Sequence, residues 1–153
     1  MPIPLHHAAI CAGDLDASLR FYRDGLGLDV LMDEHFSGDW PALFRARGDR
    51  LHSIFLGDPA SPAAGVVELV AFDAGIANGP PPATEPVLGF FLLSFFVTDL
   101  DTVLARLAEL GLGSDPSRIE VPGPVDPVAM ATVRDPDGLL VELIGTEPQS
   151  ATS

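Results

Sequence analysis

The sequence predicts an α+β fold made of two tandem βαβββ modules, and three observations lead to it. Residues 13–19 and 98–104 are similar, and each copy follows an apolar strand-like run and opens a helical pattern. Both helical patterns end in Gly-Leu-Gly, at residues 25–27 and 111–113. The segment between the copies, residues 74–90, is rich in Pro and Gly. Duplication of a unit of about half the chain predicts two similar modules with a pocket between them.

The first module, residues 1–73, is predicted to hold one helix among its strands. Asp14 or Asp16 can cap this helix, because a carboxylate accepts the free N–H groups of a first helical turn. The helix continues to about residue 24, and its apolar residues are spaced three and four apart: Leu15, Leu19, Tyr22 and Leu26. Strands are predicted at residues 5–12, 28–32, 41–47, 51–56 and 66–72, with a polar loop at 33–39.

A linker at residues 74–90 leads to the second module, residues 91–146, which repeats the order of elements. The run Pro80-Pro81-Pro82 excludes a helix or a central strand from the linker. The sequence Asp135-Pro136-Asp137-Gly138 predicts a turn between the last two strands. Residues 147–153 are predicted to be a flexible tail. The second helix is predicted at about 99–110, and strands at 91–97, 118–121, 128–134 and 139–145.

Composition and charge exclude several functional classes. The 153-residue chain has a net charge of −14, and all eight of its Lys and Arg residues are arginine. This charge argues against nucleic-acid binding, and the absence of lysine excludes Schiff-base chemistry and a phosphate-loop lysine. We expect neither a membrane span, which needs roughly 20 apolar residues, nor a signal peptide. The single cysteine, Cys11, excludes an internal disulfide, so a reducing, cytoplasmic location is expected.

Three ionisable residues are predicted within strands that are otherwise apolar. Side chains alternate along a strand, so His7 shares a face with Cys11, whereas His6 points to the opposite face. Glu68 and Glu142 lie in the last strand of each module, where the sequences VVEL and LVEL match. A carboxylate at such a position costs free energy unless it is paired or bound to a metal. We therefore expect the histidine and both glutamates to serve a function.

The motifs around these residues resemble the vicinal oxygen chelate superfamily, which includes glyoxalase I, extradiol dioxygenases and bleomycin-resistance proteins. His7 and residues 13–28 resemble the opening of its members. The turn at residues 135–138, followed by Val141-Glu142-Leu143, resembles their closing motif. The resemblance covers nearly the whole chain and implies a curved, cup-shaped mixed sheet. It also implies a metal held by the first and last strands of each module.

Carried over to this chain, the resemblance implies a metal site in which one ligand position is not a ligand. The position that corresponds to His7 in the second module is Leu92, and His52 is an alternative ligand if its strand brings it inward. One nitrogen and two oxygen donors suit Zn, Mn, Ni or Fe(II). The implied metal ligands are His7, Glu68 and Glu142. The residues expected to line the substrate pocket are Cys11, Leu92, Ser94 and Phe96.

Two functions of different classes follow from these residues. The first is a glyoxalase- or dioxygenase-like, metal-dependent enzyme that acts on a small oxygen-rich or aromatic molecule, with Glu142 and His7 as catalytic residues. The alternative is a metal-free small-molecule binding protein of the bleomycin-resistance type, favoured by Leu92 and by a charge that suits a cationic ligand. A metal-independent enzyme with one of the two catalytic residues as its base lies between them. The resemblance also implies a homodimer.

Overall fold

The computed structural model describes residues 1–146 and contains two four-stranded mixed sheets. The chain divides into two compact units, Met1–Pro80 and the part from Pro81 onward. Each unit has the element order strand, helix and three further strands, with one short additional helix in the first. The predicted α+β class and the two tandem βαβββ modules are therefore confirmed. No helix within residues 1–146 is long and apolar enough to cross a membrane.

The strands of the first sheet are β1 (His7–Cys11), β2 (Asp29–Ser37), β3 (Arg50–Gly57) and β4 (Val66–Phe72). They lie in the order β1-β4-β3-β2. The first strand runs parallel to β4, and the other pairs are antiparallel.

The helix of the first unit begins where the sequence predicts. In α1 (Leu15–Leu19), the carboxylate of Asp14 accepts the N–H of Ala17 at 3.1 Å. The chain then continues as a π-helical segment, Arg20–Gly25. Its two adjacent aromatic residues, Phe21 and Tyr22, are fully buried and meet edge to face with their ring centroids 4.9 Å apart. Their burial anchors the helix on the apolar sheet.

The segment before β3 differs from the prediction. A short helix, α2 (Trp40–Phe44), replaces the predicted strand 41–47, and β2 continues through the predicted loop 33–39 as far as Ser37. Asp39 caps α2 by accepting the N–H of Ala42 at 3.2 Å, and Pro41 lies in the first turn, where its missing N–H costs little. Because β2 is an edge strand, polar residues are tolerated along it.

The strands of the second sheet are β5 (Leu93–Val97), β6 (Ser114–Val121), β7 (Val128–Arg134) and β8 (Leu140–Gly145). They repeat the arrangement with the order β5-β8-β7-β6, and β6 begins at Ser114 rather than at residue 118.

The helix of the second unit, α3 (Leu100–Glu109), is capped by Asp99, which accepts both the N–H and the hydroxyl of Thr102, at 3.0 and 2.7 Å. These two hydrogen bonds hold the pKa of the Asp99 carboxyl below its ordinary value.

The turn between β7 and β8 forms as predicted. The N–H of Gly138 donates to the carbonyl oxygen of Asp135 at 3.0 Å. Gly138 has a φ of 88°, and a Cβ there would come within 2.4 Å of Pro82, so only glycine fits. The predicted flexible tail, residues 147–153, lies outside the described residues.

Candidate active site

The carboxylate of Glu68 has two polar partners on one face of the first sheet. Parallel pairing places Ala9 opposite Glu68, and His7, two residues earlier in β1, projects from the same face. His7 Nε2 lies 3.0 Å from Glu68 Oε2, and Ser53 Oγ donates a 2.6 Å hydrogen bond to Glu68 Oε1. The Glu68 side chain is 15% exposed and the His7 side chain 35%. The structure thus brings together two of the three predicted ligands.

Further side chains that the sequence did not assign to the site surround His7. His6 Nδ1 lies 2.8 Å from His7 Nδ1, and the rings of both histidines lie within 6 Å of the Phe55 ring. Alternation predicts His6 on the opposite face, and it fails because His6 precedes β1 and is outside the regular strand. Ser53 is only 2% exposed. A serine in the apolar run 51–56 was the available signal, but its partner depends on the register of β3 and β4.

The carboxylate of Glu142 in the second unit has a simpler environment. Ser94 lies opposite Glu142 in the parallel pair of β5 and β8, and Ser94 Oγ donates a 2.7 Å hydrogen bond to Glu142 Oε1. Among the described residues, Glu142 Oε2 has no polar partner. The side chain is half-buried. One oxygen of this carboxylate is therefore fixed and the other is open.

The two parallel pairs have the same register, which identifies the position equivalent to His7. Ala9 lies opposite Glu68 as Ser94 lies opposite Glu142. Two residues before Ser94 is Leu92, which is half-buried and lies just outside β5. The register therefore supports the correspondence between His7 and Leu92 that the motif spacing predicts.

The other predicted pocket residues lie on the strands that carry these side chains. Cys11 is exposed and lies opposite Val70, farther along β1 than His7. Phe96 is 78% exposed and lies opposite Ile144, on the same face of the second sheet as Ser94. Alternation and register thus place Cys11 on the Glu68 face and Phe96 on the Glu142 face.

The alternative ligand His52 does not join Glu68. Side chains alternate along β3, so the contact of Ser53 with Glu68 places His52 on the opposite face. There, His52 Nε2 lies 2.5 Å from Asp33 Oδ1, and its ring stacks on that of His35 with centroids 4.1 Å apart. The stacked pair also places His35 within the edge strand β2 rather than in the predicted loop.

The described residues do not assemble a complete metal site. Within residues 1–146, no three His, Cys, Asp or Glu side chains are arranged to hold a metal ion. His7 and Glu68 offer two donors, but Nε2 and Oε2 face each other at 3.0 Å. An ion bound there would have to replace this contact, and two protein donors are fewer than the three or four that usually hold a divalent transition metal.

Comparisons with known proteins agree on one family. The sequence profile described as "Glyoxalase/Bleomycin resistance protein/Dioxygenase superfamily" matches residues 4–143. The chain is 39% identical to "Lactoylglutathione lyase-like protein terB" of Aspergillus terreus over 145 residues, covering 92% of this chain and 74% of that protein. It is 28% identical to a "Probable lactoylglutathione lyase" of Synechocystis sp., covering 93% and 95% of the two chains.

A solved structure shares the fold. The crystal structure of a glyoxalase family protein from Bacillus cereus matches with a TM-score of 0.75, covering 97% of each chain at 18% identity. At this identity the likeness concerns the fold alone. It agrees with the two modules derived above from the strand order.

Proposed function

Because this chain belongs to the glyoxalase/bleomycin resistance protein/dioxygenase superfamily, we propose that it is a lactoylglutathione-lyase-like enzyme that moves a proton on a small oxygen-rich molecule. The observation that carries the proposal is the environment of Glu142. Ser94 fixes Oε1 at 2.7 Å, and Oε2 has no polar partner among the described residues. A half-buried carboxylate with one oriented and one open oxygen is suited to act as a general base.

The proposed step takes a proton from a carbon atom next to a carbonyl group. Glu142 Oε2 accepts the proton, and the electron pair of the broken C–H bond forms an enediolate. The same carboxyl group then gives a proton to the neighbouring carbon, and the hydroxyl proton of the first carbon passes to the oxygen of the second, so that the carbonyl group has moved by one carbon. No oxidant or second substrate is needed, because the step is an isomerisation. Ser94 keeps Glu142 oriented through the cycle by donating to the oxygen that does not exchange the proton.

The pair of His7 and Glu68 is the second part of the proposal. An imidazole held by a carboxylate at 3.0 Å has a fixed ring orientation, so His7 is suited to donate a hydrogen bond or to transfer a proton. The proposal includes a divalent ion, Zn, Mn, Ni or Fe(II), for which His7 and Glu68 would supply a nitrogen and an oxygen ligand. When bound, such an ion acts as a Lewis acid on substrate oxygens. Since only two donors are assembled, the proton-transfer step above does not depend on it.

The decisive experiment is a reaction in D2O. Purified protein is incubated with methylglyoxal and glutathione, and S-lactoylglutathione is followed by NMR. We expect turnover, with deuterium on the carbon that receives the proton in the fraction of cycles in which the carboxyl group exchanges with solvent between the two half-steps. Heat-inactivated protein is the control. Turnover that Glu142→Gln leaves unchanged would contradict Glu142 as the base, and absence of turnover would reject the proposed function on this substrate.

A metal-free binding protein is the second candidate, and one observation favours it. Phe96, on the Glu142 face, is 78% exposed beside the apolar Ile144. Exposed aromatic surface of this kind suits an apolar ligand. Saturable binding of a ligand that is recovered unchanged, together with no turnover in the D2O experiment, would favour this function over the enzyme.

A cytoplasmic homodimer is proposed from the family resemblance. A single cysteine is consistent with a reducing compartment. Light scattering of the purified protein tests the assembly, and a mass of one chain at micromolar concentration would reject the dimer.

A further inference from the structure

Positive charge is concentrated beside α2. The chain has eight arginines against 22 acidic residues, yet Arg45, Arg47 and Arg50 fall within six positions. Arg50 pairs with Asp73 at 3.5 Å. Arg45 and Arg47 are exposed, and neither has a carboxylate partner among residues 1–146. Two unneutralised cations on a strongly acidic protein form a local site for an anion.

An exposed apolar surface directly precedes these two arginines. Trp40 and Phe44 stack with ring centroids 5.5 Å apart and an interplanar angle of 11°. Phe44 is nevertheless 54% exposed, and Leu43 is 67% exposed. We call Trp40, Leu43, Phe44, Arg45 and Arg47 the α2 patch. Its apolar residues are followed directly by its arginines along the chain, so it matches a molecule with an apolar body and an anionic end.

The backbone holds the cationic end of the patch in place. Arg45 ends α2 with a φ of 58°, a conformation that residues other than glycine seldom adopt. Its N–H donates to the carbonyl oxygen of Pro41 at 3.0 Å, which fixes this geometry. The Arg47 guanidinium lies beside Gly75. Arg45 therefore leaves α2 from a defined turn, and Arg47 follows it by two residues.

The α2 patch lies on the face of the sheet that carries Glu68. Phe44 meets Phe72 edge to face, with ring centroids 6.4 Å apart. Phe72 is four residues after Glu68 in β4, so the two side chains share a face and are about 13 Å apart along the strand. A molecule bound on the patch can extend along this face toward the pair of His7 and Glu68.

From these observations we infer that the α2 patch binds the carboxylate end of an apolar, anionic small molecule. The carboxylate pairs with Arg45 and Arg47, because guanidinium groups bind carboxylates with charge-assisted hydrogen bonds, and the apolar body lies on α2. The inference rests on the proposed function in one respect, which is that the bound molecule is taken to be the substrate. It also reverses the expectation that the net charge favours a cationic ligand, because local charge rather than total charge decides binding at short range.

Trp40 provides the test, because it is the single tryptophan of the chain and lies in the patch. Its fluorescence is titrated with 4-phenylbutyrate, with 4-phenylbutanamide and with 4-phenylbutylammonium, which share an apolar body and differ in charge. We expect the carboxylate to bind about tenfold more tightly than the amide, the scale of losing a charge-assisted hydrogen bond, and the ammonium most weakly. Raising the salt concentration should weaken only the carboxylate.

Variants complete the experiment. The double variant Arg45→Ala with Arg47→Ala should remove the preference for the carboxylate. Arg23→Ala should keep it, because Arg23 is an exposed arginine that pairs with Asp24 at 2.8 Å outside the patch. Circular dichroism confirms that both variants are folded. Equal affinity for the three probes, no binding of any probe, or retention of the preference by the double variant would overturn the inference.

Two further outcomes separate the alternatives. If the double variant dissociates a wild-type dimer in light scattering, the patch contacts a second copy of the chain instead, and the inference fails. If the preference for the carboxylate appears while the D2O experiment shows no turnover, the α2 patch stands and the proposed isomerase function on methylglyoxal and glutathione fails.

Discussion

The two modules have the same strand order, but their carboxylates have different hydrogen-bond partners. Glu68 has both oxygens engaged, one by Ser53 and one by His7, whereas Glu142 has one oxygen held by Ser94 and the other open. The hydroxyl donor lies on β3 in the first module and on β5 in the second. Duplication has preserved the register while the polar partners have diverged. The two glutamates are therefore suited to different tasks. Glu68 is suited to positioning His7, and Glu142 is suited to proton transfer.

The largest expected effect comes from removing the charge of the open carboxylate. Glu142→Gln should lower kcat/KM by about 10²–10⁴-fold, the usual contribution of a general base, while keeping the shape of the side chain. Glu68→Gln should have a smaller effect, because Glu68 acts through His7. Glu120→Gln, in an exposed part of β6, is the control. Steady-state kinetics on one substrate measure all three, and equal losses at the two sheet glutamates would remove the proposed division of tasks.

The difference between His7 and Leu92 predicts where a metal binds. In the proposed ligand set His7 supplies the nitrogen donor, so a divalent ion carried by wild-type protein purified without chelator should depend on this residue. His7→Ala should lose the ion, and Leu92→Ala should keep it, because an apolar side chain contributes no donor. Mass spectrometry of the metal content measures both. Metal that persists in His7→Ala would show that the ion is held elsewhere.

The repeated motifs of the sequence were sufficient to predict the two modules. They were insufficient to predict side-chain contacts that depend on how the strands pair. Duplicated motifs predicted both modules, both helices and the cap of the first helix, and strand alternation placed His7 and Cys11 on one face. That His7 and Glu68 share a face follows from the register of β1 and β4. The contact of Ser53 with Glu68 was not predicted, because a single serine in an apolar run has no periodicity. Its partner is defined only when β3 pairs with β4. A strand was predicted at residues 41–47, where α2 lies, because Gly48-Asp49 was interpreted as a turn that joins this segment to the strand at 51–56. The capping Asp39 and Pro41 were the signals that favoured a helix.

The two serines should differ in their contribution to stability. Ser53→Ala removes the donor to Glu68 at a site that is 2% exposed, so we expect a loss of about 1.5–3 kcal/mol in the free energy of unfolding, typical of a buried hydrogen bond to a charged group. Ser94→Ala should cost clearly less, because Ser94 is exposed and water can replace the hydroxyl. Urea denaturation measures both. A larger loss for Ser94→Ala would contradict a mainly structural role for the hydrogen bond between Ser53 and Glu68.

The smallest expected difference lies at the two helix caps, and pH reveals it. Asp14 accepts the N–H of Ala17, while Asp99 accepts both the N–H and the hydroxyl of Thr102. At pH 7, Asp99→Ala should therefore lower the urea midpoint more than Asp14→Ala. The hydrogen bonds from Thr102 lower the pKa of Asp99. Its contribution to stability is thus present above the unfolded-state pKa, near 4, and is lost as the pH falls through the lower folded-state value.

The two caps should become equivalent in acid. Once Asp99 is protonated it no longer binds Thr102 as an anion, so the penalty of Asp99→Ala should shrink toward that of Asp14→Ala as the pH is lowered from 7 to about 2.5. Urea midpoints by circular dichroism across this range give the measurement. A penalty for Asp99→Ala that stays constant down to the acid end would mean that the cap stabilises α3 through neutral hydrogen bonds. The two helix caps would then differ only in the number of hydrogen-bond donors, and the negative charge of Asp99 would make no separate contribution to stability.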